Sequence, residues 1–498
     1  MTINEREILR GHAYLCTLAE KAFRRGDLDY TNHYIHEYCV VGNSGNWIYH
    51  NPKIVDLIER MARIYYPEAI PSYQAEPKRV VFYDQYGISY VLALQYLRAL
   101  ANNGYEVLYL LSDYYTLDDP NSILTEMKAH PNVHVHIVDN KLPLRERMHE
   151  IVDTTVAYKP AKILMHVRDC SAFNFAISII PNCCDVYYIN QHDHAFWIKN
   201  KRIDYCIPYR AWGATIDIEK RDFKPEQELL VPYYPIIVDH PFQGFPEQVK
   251  GKVILFSGGN MFKTYDDENT YWKMVIRILI ENPTAVILYA IKGYVNKRQL
   301  AAVRELTSDE SVLERLIPIG FRTDINEVFK HCDIFLGTCP MSGGLMSQYA
   351  AVNFKPILQY YPPRLAANNE TEQVLDYNGK EPISFTDLEL FMQEAKHLIN
   401  DAAYRKQRGE AIHKCLITQP QFDELLVKTI ETNQNKVPYE RTIIDYDAFT
   451  EWWLSMDRWG FTPYGVLLRS VIGKRKYLIM PISSIKAHIS GLWKASKK

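Results

Sequence analysis

The sequence predicts an α/β protein with two doubly wound domains in tandem, a helical region before them and a basic helical tail after them. Two observations support this prediction. Short apolar runs alternate with amphipathic helical segments in two separate series, which is the pattern of parallel βαβ units. The 498-residue chain is 47% apolar and 23% charged, which is the composition of a globular protein with room for about three ordinary domains.

The first 75 residues are predicted to be helical. Within residues 5–25 apolar side chains recur with a period near 3.6, and Asn51-Pro52 opens a further amphipathic helix. Two prolines then close the region as a linker. We therefore expect a helical N-terminal region over residues 1–75.

The texture of the sequence changes after this linker. Short apolar runs of strand length recur, and a helix over residues 87–104 separates the first two of them. The predicted strands are 79–84, 105–112, 133–139, 161–167 and 185–190. They predict a Rossmann-like domain over residues 76–245.

A proline-rich bridge over residues 231–246 precedes a second series of the same kind. Helices are expected between its strands, for example at 271–280 and 345–352. The predicted strands are 251–257, 284–290, 315–320, 333–337 and 356–361. They predict a second Rossmann-like domain over residues 246–430, with a cleft between the two domains. Residues 431–498 would form a helical cross-over and the tail.

Composition excludes several classes of protein. The formal net charge is only −2, so the whole chain generates no field that would attract nucleic acid. Nine scattered cysteines without a CxxC pair indicate neither a disulfide framework nor a zinc site, and they fit a reducing cytosol. The charged N-terminus is unlike a secretory signal, and the apolar runs are too short to span a bilayer. We expect a cytoplasmic protein.

The loops that follow predicted strands carry the candidate chemistry, because ligands of doubly wound sheets bind at the carboxyl ends of the strands. After the first strand of the second domain, Gly258 and Gly259 allow close approach of a ligand to the backbone. Asn260 and Lys263 supply donors for anionic oxygens. The alternative interpretation is a tight Gly-Gly turn beside a solvated lysine.

A second loop of this kind follows residues 333–337. Ser342, Gly343 and Gly344 stand at the start of a predicted helix, where exposed N–H groups and the helix dipole favour a phosphate. The alternative is a serine N-cap with two turn glycines. Two such loops in one domain favour the phosphate interpretation.

The spacing of these segments resembles a known family. FSGGNMFKT, RLIPIGFRTDINEVFKHCDIFL and PMSGGLMSQYAA, all within residues 253–358, are similar to the nucleotide-sugar domain of GT-B glycosyltransferases. The likeness is to bacterial relatives of the O-linked N-acetylglucosamine transferase branch. It implies that Lys263 contacts the donor diphosphate, that Gly320, Phe321 and Arg322 form the base-contacting loop, and that residues 342–344 receive the diphosphate.

The first domain resembles the same family in two places. YINQHDHAFWI is similar to a histidine-and-aspartate loop that faces the donor, which implies catalytic roles for His192, Asp193 and His194. VVFYDQYGIS resembles the opening strand and loop, which places Asp84 and Gln85 at the acceptor side. From the residues alone, the H-D-H cluster also fits a structural loop or two ligands of a metal site. The family resemblance implies no metal and no other cofactor.

The chain departs from the family at the ribose contact. Many GT-B enzymes have an acidic residue seven positions before the proline of the last motif, and here that position is Tyr349. Gln348 beside it can hydrogen-bond a ribose, although more weakly than a carboxylate.

The resemblance implies a metal-independent glycosyltransferase of the hexosyltransferase type. It would move a sugar from a nucleotide-diphosphate donor, a UDP-sugar, to a glycan, glycolipid or protein acceptor in surface polysaccharide biosynthesis. Fixed donors would stabilise the leaving diphosphate, and a histidine would act as base. The alternatives are a polyol-phosphate transferase of the teichoic-acid kind and a non-catalytic GT-B subunit that binds a protein or glycan.

The tail has a charge pattern of its own. Residues 458–498 contain nine Lys and Arg and no Asp or Glu, so the rest of the chain carries a net charge of −11. Apolar residues at Ile485, Ile489, Leu492 and Trp493 follow the i, i+4, i+7, i+8 spacing of a one-sided helix. This pattern predicts attachment to an anionic membrane surface on the inner face of the cell membrane. The alternatives are a contact with a partner protein and a solvated tail.

Overall fold

The computed structural model describes residues 5–45, 47–85, 92–112, 123–167, 170–290, 303–375, 379–459 and 464–495. They form two compact units. Unit 1 takes its residues from 1–231, 419–441 and 462–498, and unit 2 from 232–418 and 442–461.

Unit 1 begins with three helices, α1 (Glu5–Arg24), α2 (Leu28–Asn43) and α3 (Pro52–Tyr65). The predicted start of α3 is confirmed, since the Asn51 side chain accepts the Lys53 amide and Pro52 occupies the first turn. Helix α2 was not predicted. Its Asp27 N-cap is a usable signal, but tyrosines and histidines interrupt its apolar face.

The sheet of unit 1 confirms the first predicted series. Its parallel strands have the order β3-β2-β1-β4-β5-β6, and the short β6 was not predicted. Of the predicted helix 87–104, residues 87–91 lie outside the described residues. The strands are β1 (Glu76–Asp84), β2 (Glu106–Leu111), β3 (Val133–Ile137), β4 (Pro160–His166), β5 (Asp185–Asn190) and β6 (Tyr205–Pro208). The helices among them are α4 (Leu92–Asn102), α5 (Ile123–Ala129), α6 (Leu144–Tyr158), α7 (Ala172–Ile177) and α8 (Ala211–Lys220).

The sheet of unit 2 confirms the second series and repeats the same topology, with strand order β9-β8-β7-β10-β11-β12. Strand β12, two residues long, was not predicted. The strands are β7 (Val253–Gly258), β8 (Ala285–Ala290), β9 (Leu316–Gly320), β10 (Ile334–Leu336), β11 (Ile357–Tyr360) and β12 (Ser384–Phe385). The helices are α9 (Thr270–Glu281), α10 (Glu310–Leu313), α11 (Ile325–His331), α12 (Gly344–Val352), α13 (Glu370–Leu375), α14 (Leu388–Asn400) and α15 (Ala402–His413).

Helices cover both faces of the unit 2 sheet. Trp272 of α9 and Phe391 of α14 pack in the core on one face, and Phe329 of α11 and Ile412 of α15 pack in the core on the other. Because both faces are buried, the strands read in the sequence as continuous apolar runs rather than as alternating ones.

The C-terminal helices divide between the two units. They are α16 (Gln419–Thr432), α17 (Tyr446–Trp459), α18 (Tyr464–Ile472), α19 (Lys476–Ile479) and α20 (Pro481–Ala495). Helix α16 belongs to unit 1, where Phe422 meets the Tyr96 ring edge-on and Asp423 accepts a 3.1 Å hydrogen bond from Asn102. Along the chain, unit 2 begins at Pro232. In the part of the chain that the structure describes, no helix is both long and apolar enough to cross a membrane.

Candidate functional site

Each sheet has one point at which the strand order reverses, between its first and fourth strands, and ligands of doubly wound folds bind there. In unit 2 this point lies between β7 and β10, the two strands that precede the predicted phosphate loops. A cavity of about 400 Å³ opens there. Its described lining residues are Gly258, Gly259, Asn260, Lys263, Ala290, Phe321, Arg322, Ile325, Gly343, Gly344, Leu345, Met346 and Glu370.

The Gly-Gly pair at the end of β7 is required by the backbone. A Cβ on Gly258 would lie 3.2 Å from the carbonyl oxygen of Ala290 on the neighbouring strand. Gly259 has a φ of 147°, which L side chains rarely adopt, and its amide donates to the same Ala290 oxygen. The two glycines therefore let the chain turn tightly while its backbone lines the cavity.

Lys263 connects the two predicted loops. It lies in the short 3₁₀ turn Met261–Thr264, and its Nζ donates a 2.6 Å hydrogen bond to the carbonyl oxygen of Ser342. The same Nζ is 3.5 Å from the position that a Cβ on Gly343 would take. This partner is a neutral carbonyl, so the contact holds the ammonium in place without neutralising its charge.

Helix α12 points its N-terminus into the same cavity. Gly343 is its N-cap and Gly344 its first residue, and the first amides of any helix lack intrahelical acceptors. A Cβ on Gly344 would lie 2.8 Å from a methyl group of Val374 on α13, so only glycine fits there. Amides, helix dipole and the Lys263 ammonium together place hydrogen-bond donors and a positive charge at this end of the cavity.

Glu370, the first residue of α13, is the one carboxylate among the described lining residues. Its Oε1 lies 3.1 Å from the position of a Cβ on Gly344, so the carboxylate sits against the start of α12. The sequence analysis missed this residue. It is 21 positions beyond Tyr349, the position where the family pattern expects an acid, and only the packing of α13 on α12 brings it to the cavity.

The loop after β9 contributes an aromatic ring and a guanidinium. Phe321 lines the cavity and is 60% exposed, whereas Arg322 is buried. Arg322 donates to both Asp324 oxygens at 2.7 and 2.6 Å and to the Gly244 carbonyl. Burial acts to raise the pKa of Asp324, but these bonds from Arg322 outweigh it and lower that pKa. Arg322 therefore fixes the loop that carries Phe321.

Three of the predicted donor-binding residues are not among the described residues that line the cavity. Gly320 ends β9 with a φ of 68°. Ser342 is buried, and its hydroxyl accepts a 2.6 Å hydrogen bond from Tyr361. Gln348 is also buried, and its Nε2 donates to the carbonyl of Tyr233 at 3.1 Å. The buried side chains of Ser342 and Gln348 therefore hold neighbouring segments in place instead of lining the cavity.

The reversal point of unit 1 lies between β1 and β4, and two buried side chains meet there. Asp84 and His166 end these strands in register, and the His166 Nδ1 lies 2.9 Å from an Asp84 oxygen. The other Asp84 oxygen accepts a 2.7 Å hydrogen bond from Tyr109. The carboxylate thus selects the imidazole tautomer with the proton on Nδ1. His166 was not predicted. The residues that follow, 86–91 and 168–169, lie outside the described residues.

The histidine-and-aspartate loop follows β5, and its aspartate is held by a buried ion pair. Arg210 donates to both oxygens of Asp193 at 2.6 and 3.1 Å, and both side chains are buried. Burial alone would raise the pKa of Asp193, but the Arg210 charge and the His194 contact outweigh it and lower that pKa. Asp193 is therefore ionised and anchors the loop, while His192 and His194 remain partly exposed.

A second buried arginine also binds this loop. Arg221 donates to the backbone carbonyl of Asp193 and to Asp217. Cys206, Asp217 and Glu228 offer ligand atoms within 4.8 Å of one another, and among the described residues no other such cluster occurs. The oxygens of Asp217 are already engaged by Arg221 and by Asn190 at 2.6 Å. His192 and His194 do not belong to this cluster.

No protein-family model and no curated protein matches the chain. Solved structures do resemble it. A mutant of the O-GlcNAc transferase from Thermobaculum terrenum has a TM-score of 0.52 at 15% identity, over 90% of this chain and 85% of that one. A glycosyltransferase from Rickettsia africae has a TM-score of 0.50 at 10% identity, over 72% of this chain and 98% of that one. The predicted GT-B fold is confirmed.

Proposed function

We propose that the protein is a glycosyltransferase that moves a sugar from a UDP-sugar to a hydroxyl group of a glycan, glycolipid or protein. The observation that carries this proposal is the cavity at the reversal point of unit 2, where Lys263 and the start of α12 converge. The Thermobaculum terrenum protein with the same fold is an O-GlcNAc transferase by name, which supports the same class of reaction.

In this proposal the donor lies along the cavity with its diphosphate at the Lys263 end. The Lys263 ammonium and the amides of Gly343 and Gly344 bind the phosphate oxygens. The exposed ring of Phe321 stacks on the base, and Glu370 accepts hydrogen bonds from sugar hydroxyls of the donor. Glu370 would thereby take the role expected of an acid at position 349.

The reaction needs a leaving group and a base. The bond between the anomeric carbon and the phosphate oxygen breaks with its electron pair going to the diphosphate, and the acceptor oxygen forms the new bond. Positive groups that meet the leaving diphosphate lower the barrier, because its charge develops in the transition state. Lys263 and the α12 amides supply these groups, so the proposal requires no metal ion.

We propose a histidine as the base that takes the proton of the acceptor hydroxyl. His192 and His194 are the candidates that the sequence indicated, and both are partly exposed beside the anchored Asp193. His166 is a further candidate, because Asp84 holds its Nδ1 proton and leaves Nε2 as the basic nitrogen. We propose surface polysaccharide as the product class, and cytoplasm as the site of the reaction.

The experiment is a thermal-shift series on the full chain with UDP, GDP, CDP and CMP at equal concentrations. A nucleotide that binds only the folded form stabilises it, by about 2.7 kcal/mol at a hundredfold excess over Kd. We expect UDP to raise the melting temperature most. Release of UDP from UDP-sugars in the presence of acceptor glycans then measures turnover.

Two variants locate the binding. Lys263→Ala should abolish the shift caused by UDP, whereas Lys273→Ala, an exposed lysine on α9, should retain it. A shift with CDP or CMP instead of UDP would favour the polyol-phosphate transferase. No shift with any of the four, in a folded protein, would favour the non-catalytic subunit and contradict the proposal.

A further inference from the structure

Helix α20 exposes apolar side chains and buries polar ones within residues 481–489. Surface helices of globular proteins bury their apolar side chains and expose their polar ones. In α20 the side chains of Ser483 and Ser484 are buried instead, while Ile482, Ile485 and Ile489 are exposed. The exposed fractions are 46% for Ile482, 51% for Ile485 and 60% for Ile489. We call these three residues the tail face.

The rest of unit 1 fixes this orientation. Glu7 of α1 is fully buried, and its two carboxylate oxygens accept the amides of Ile482 and Ser483 at 2.7 and 2.9 Å. A carboxylate at this position caps the first turn of α20 and complements its dipole. This contact fixes the first turn of α20 against α1, with Ser483 and Ser484 buried and Ile482 exposed.

The preceding helices of the tail are also anchored in unit 1. Leu468 of α18 is buried against Gly11 of α1, where a Cβ would approach its methyl group to 2.7 Å. Met480, between α19 and α20, is fully buried as well. The tail face is thus an ordered surface with fixed geometry rather than part of a loose extension.

The charge around the tail face selects its partner. Residues 458–498 contain nine cations and no carboxylate side chain. Lys474 and Lys486 are exposed, and Lys486 lies between Ile482 and Ile489 on the helix. A stripe of aliphatic side chains with Lys486 beside it on the same helix matches the boundary between anionic headgroups and acyl chains. Helix α20 is 15 residues long, about 22 Å, and thus too short to span a bilayer.

We propose that the tail face docks the protein on an anionic lipid membrane, with α20 lying in the plane of the headgroups. Ile482, Ile485 and Ile489 enter the acyl boundary, and the lysines contact the headgroups. This inference does not depend on the proposed function, because docking requires no nucleotide and no turnover. It places the protein where an acceptor carried by a lipid would be concentrated.

The test is flotation of the full chain with vesicles of phosphatidylglycerol and phosphatidylcholine in equal parts, and with vesicles of phosphatidylcholine alone. We expect the protein to float only with the anionic vesicles and to lose binding when salt rises from about 0.1 M to about 0.5 M. The double variant Ile485→Asp/Ile489→Asp should bind at least about tenfold more weakly. Thermal unfolding confirms that the variant is folded.

A matched control is available on another helix. Ile64 of α3 is 49% exposed, so Ile64→Asp changes the same side chain at equal exposure and should float as the wild type does. Lys474→Gln/Lys486→Gln should weaken binding, whereas Lys21→Gln/Lys53→Gln, also at exposed positions, should not. Wild-type protein that floats with neither vesicle, or isoleucine variants that float normally, would overturn the proposal.

Light scattering tests whether a second copy of the chain, instead of a membrane, covers the tail face. If the wild type is an oligomer in solution and Ile485→Asp/Ile489→Asp makes it monomeric without affecting flotation, the tail face is a contact between copies of the chain and the membrane proposal is wrong. A wild type that is monomeric without lipid and floats with anionic vesicles supports it.

Discussion

The two units share one strand order but use the carboxyl edge of the sheet differently. At the reversal point of unit 1, Asp84 is buried between His166 and Tyr109, and the loop after β5 is held by the buried Asp193–Arg210 pair. At the reversal point of unit 2, an open cavity is lined by glycine backbone, Lys263 and Glu370.

This difference shows that a shared strand order fixes where a site lies in the sheet but not which chemical groups occupy it. Where a charged side chain has a buried counter-charge, as Asp193 has in Arg210, its removal is expected to reduce stability. Lys263, by contrast, lines an open cavity and donates to the neutral carbonyl of Ser342. The predictions that follow test this contrast, beginning with the largest expected effect.

The first prediction concerns Asp193. Asp193→Asn leaves the Arg210 guanidinium buried without its full counter-charge, which costs about 3–5 kcal/mol for broken buried pairs. Urea unfolding measures the loss. The control is Asp56→Asn on α3, whose partner Arg60 is also exposed, and it should change the unfolding free energy by less than about 1 kcal/mol. Equal effects of the two substitutions would show that the buried Asp193–Arg210 pair contributes no more to stability than an exposed ion pair.

The second prediction concerns Lys263. Lys263→Ala should lower kcat/KM, because one fixed cation at the leaving diphosphate is lost. The expected loss of transition-state stabilisation is about 2–4 kcal/mol. The melting temperature should remain close to that of the wild type. Lys273→Ala serves as the control for a lysine of the same unit. A folded Lys263→Ala protein that keeps more than about a third of its activity would contradict the assignment.

The third prediction concerns Glu370, which the structure adds to the site. Glu370→Gln should raise the KM for the donor, since a charge-assisted hydrogen bond to a sugar hydroxyl contributes about 1.5–3 kcal/mol. Initial rates at varied donor concentration measure this. Glu268→Gln, at an exposed position of the same unit, should leave KM unchanged. A change in kcat alone would assign Glu370 a role other than ground-state binding.

The fourth prediction concerns Glu228 in unit 1, whose carboxylate oxygens have no hydrogen-bond partner among the described residues. Burial, together with repulsion from Asp217, raises the pKa of Glu228 well above its usual value, although Arg221 and Lys199 oppose the shift. At a pH between the unfolded and folded pKa values, the Glu228 carboxyl group is therefore protonated in the folded protein and ionised in the unfolded chain. The contribution of this carboxyl group to the stability of the folded protein is fully present below the pKa of the group in the unfolded chain, 4.5. That contribution is lost as pH rises through the higher folded pKa.

The glutamine side chain of Glu228→Gln is neutral at every pH, so this variant should lack the pH-dependent loss of stability. Between about pH 5 and pH 8 the wild type should lose up to about 1.4 kcal/mol per pH unit relative to the variant, until the folded pKa is passed. Urea unfolding of both proteins across this range provides the measurement. Parallel stability curves would show that Glu228 is already ionised in the folded protein.

The sequence by itself determined the fold and the position of the cavity. Apolar runs bounded by turn residues identify strands because most of the strands are buried on both faces, so both series and their order along the chain could be read directly. The glycine loops after β7 and β10 could be found because a strand end followed by glycines and a cation is a local pattern. Lys263, Gly343 and Gly344 are accordingly together at one cavity.

Only the tertiary structure decided the long-range partners. The pairs Asp84–His166, Asp193–Arg210 and Gly344–Glu370 join residues 82, 17 and 26 positions apart, and no local pattern specifies them. The same holds for the return of α16 to unit 1 and for the outward face of α20. Helical periodicity shows that a helix has an apolar side, but the direction of that side depends on contacts such as the Glu7 carboxylate, which lies 475 residues away along the chain.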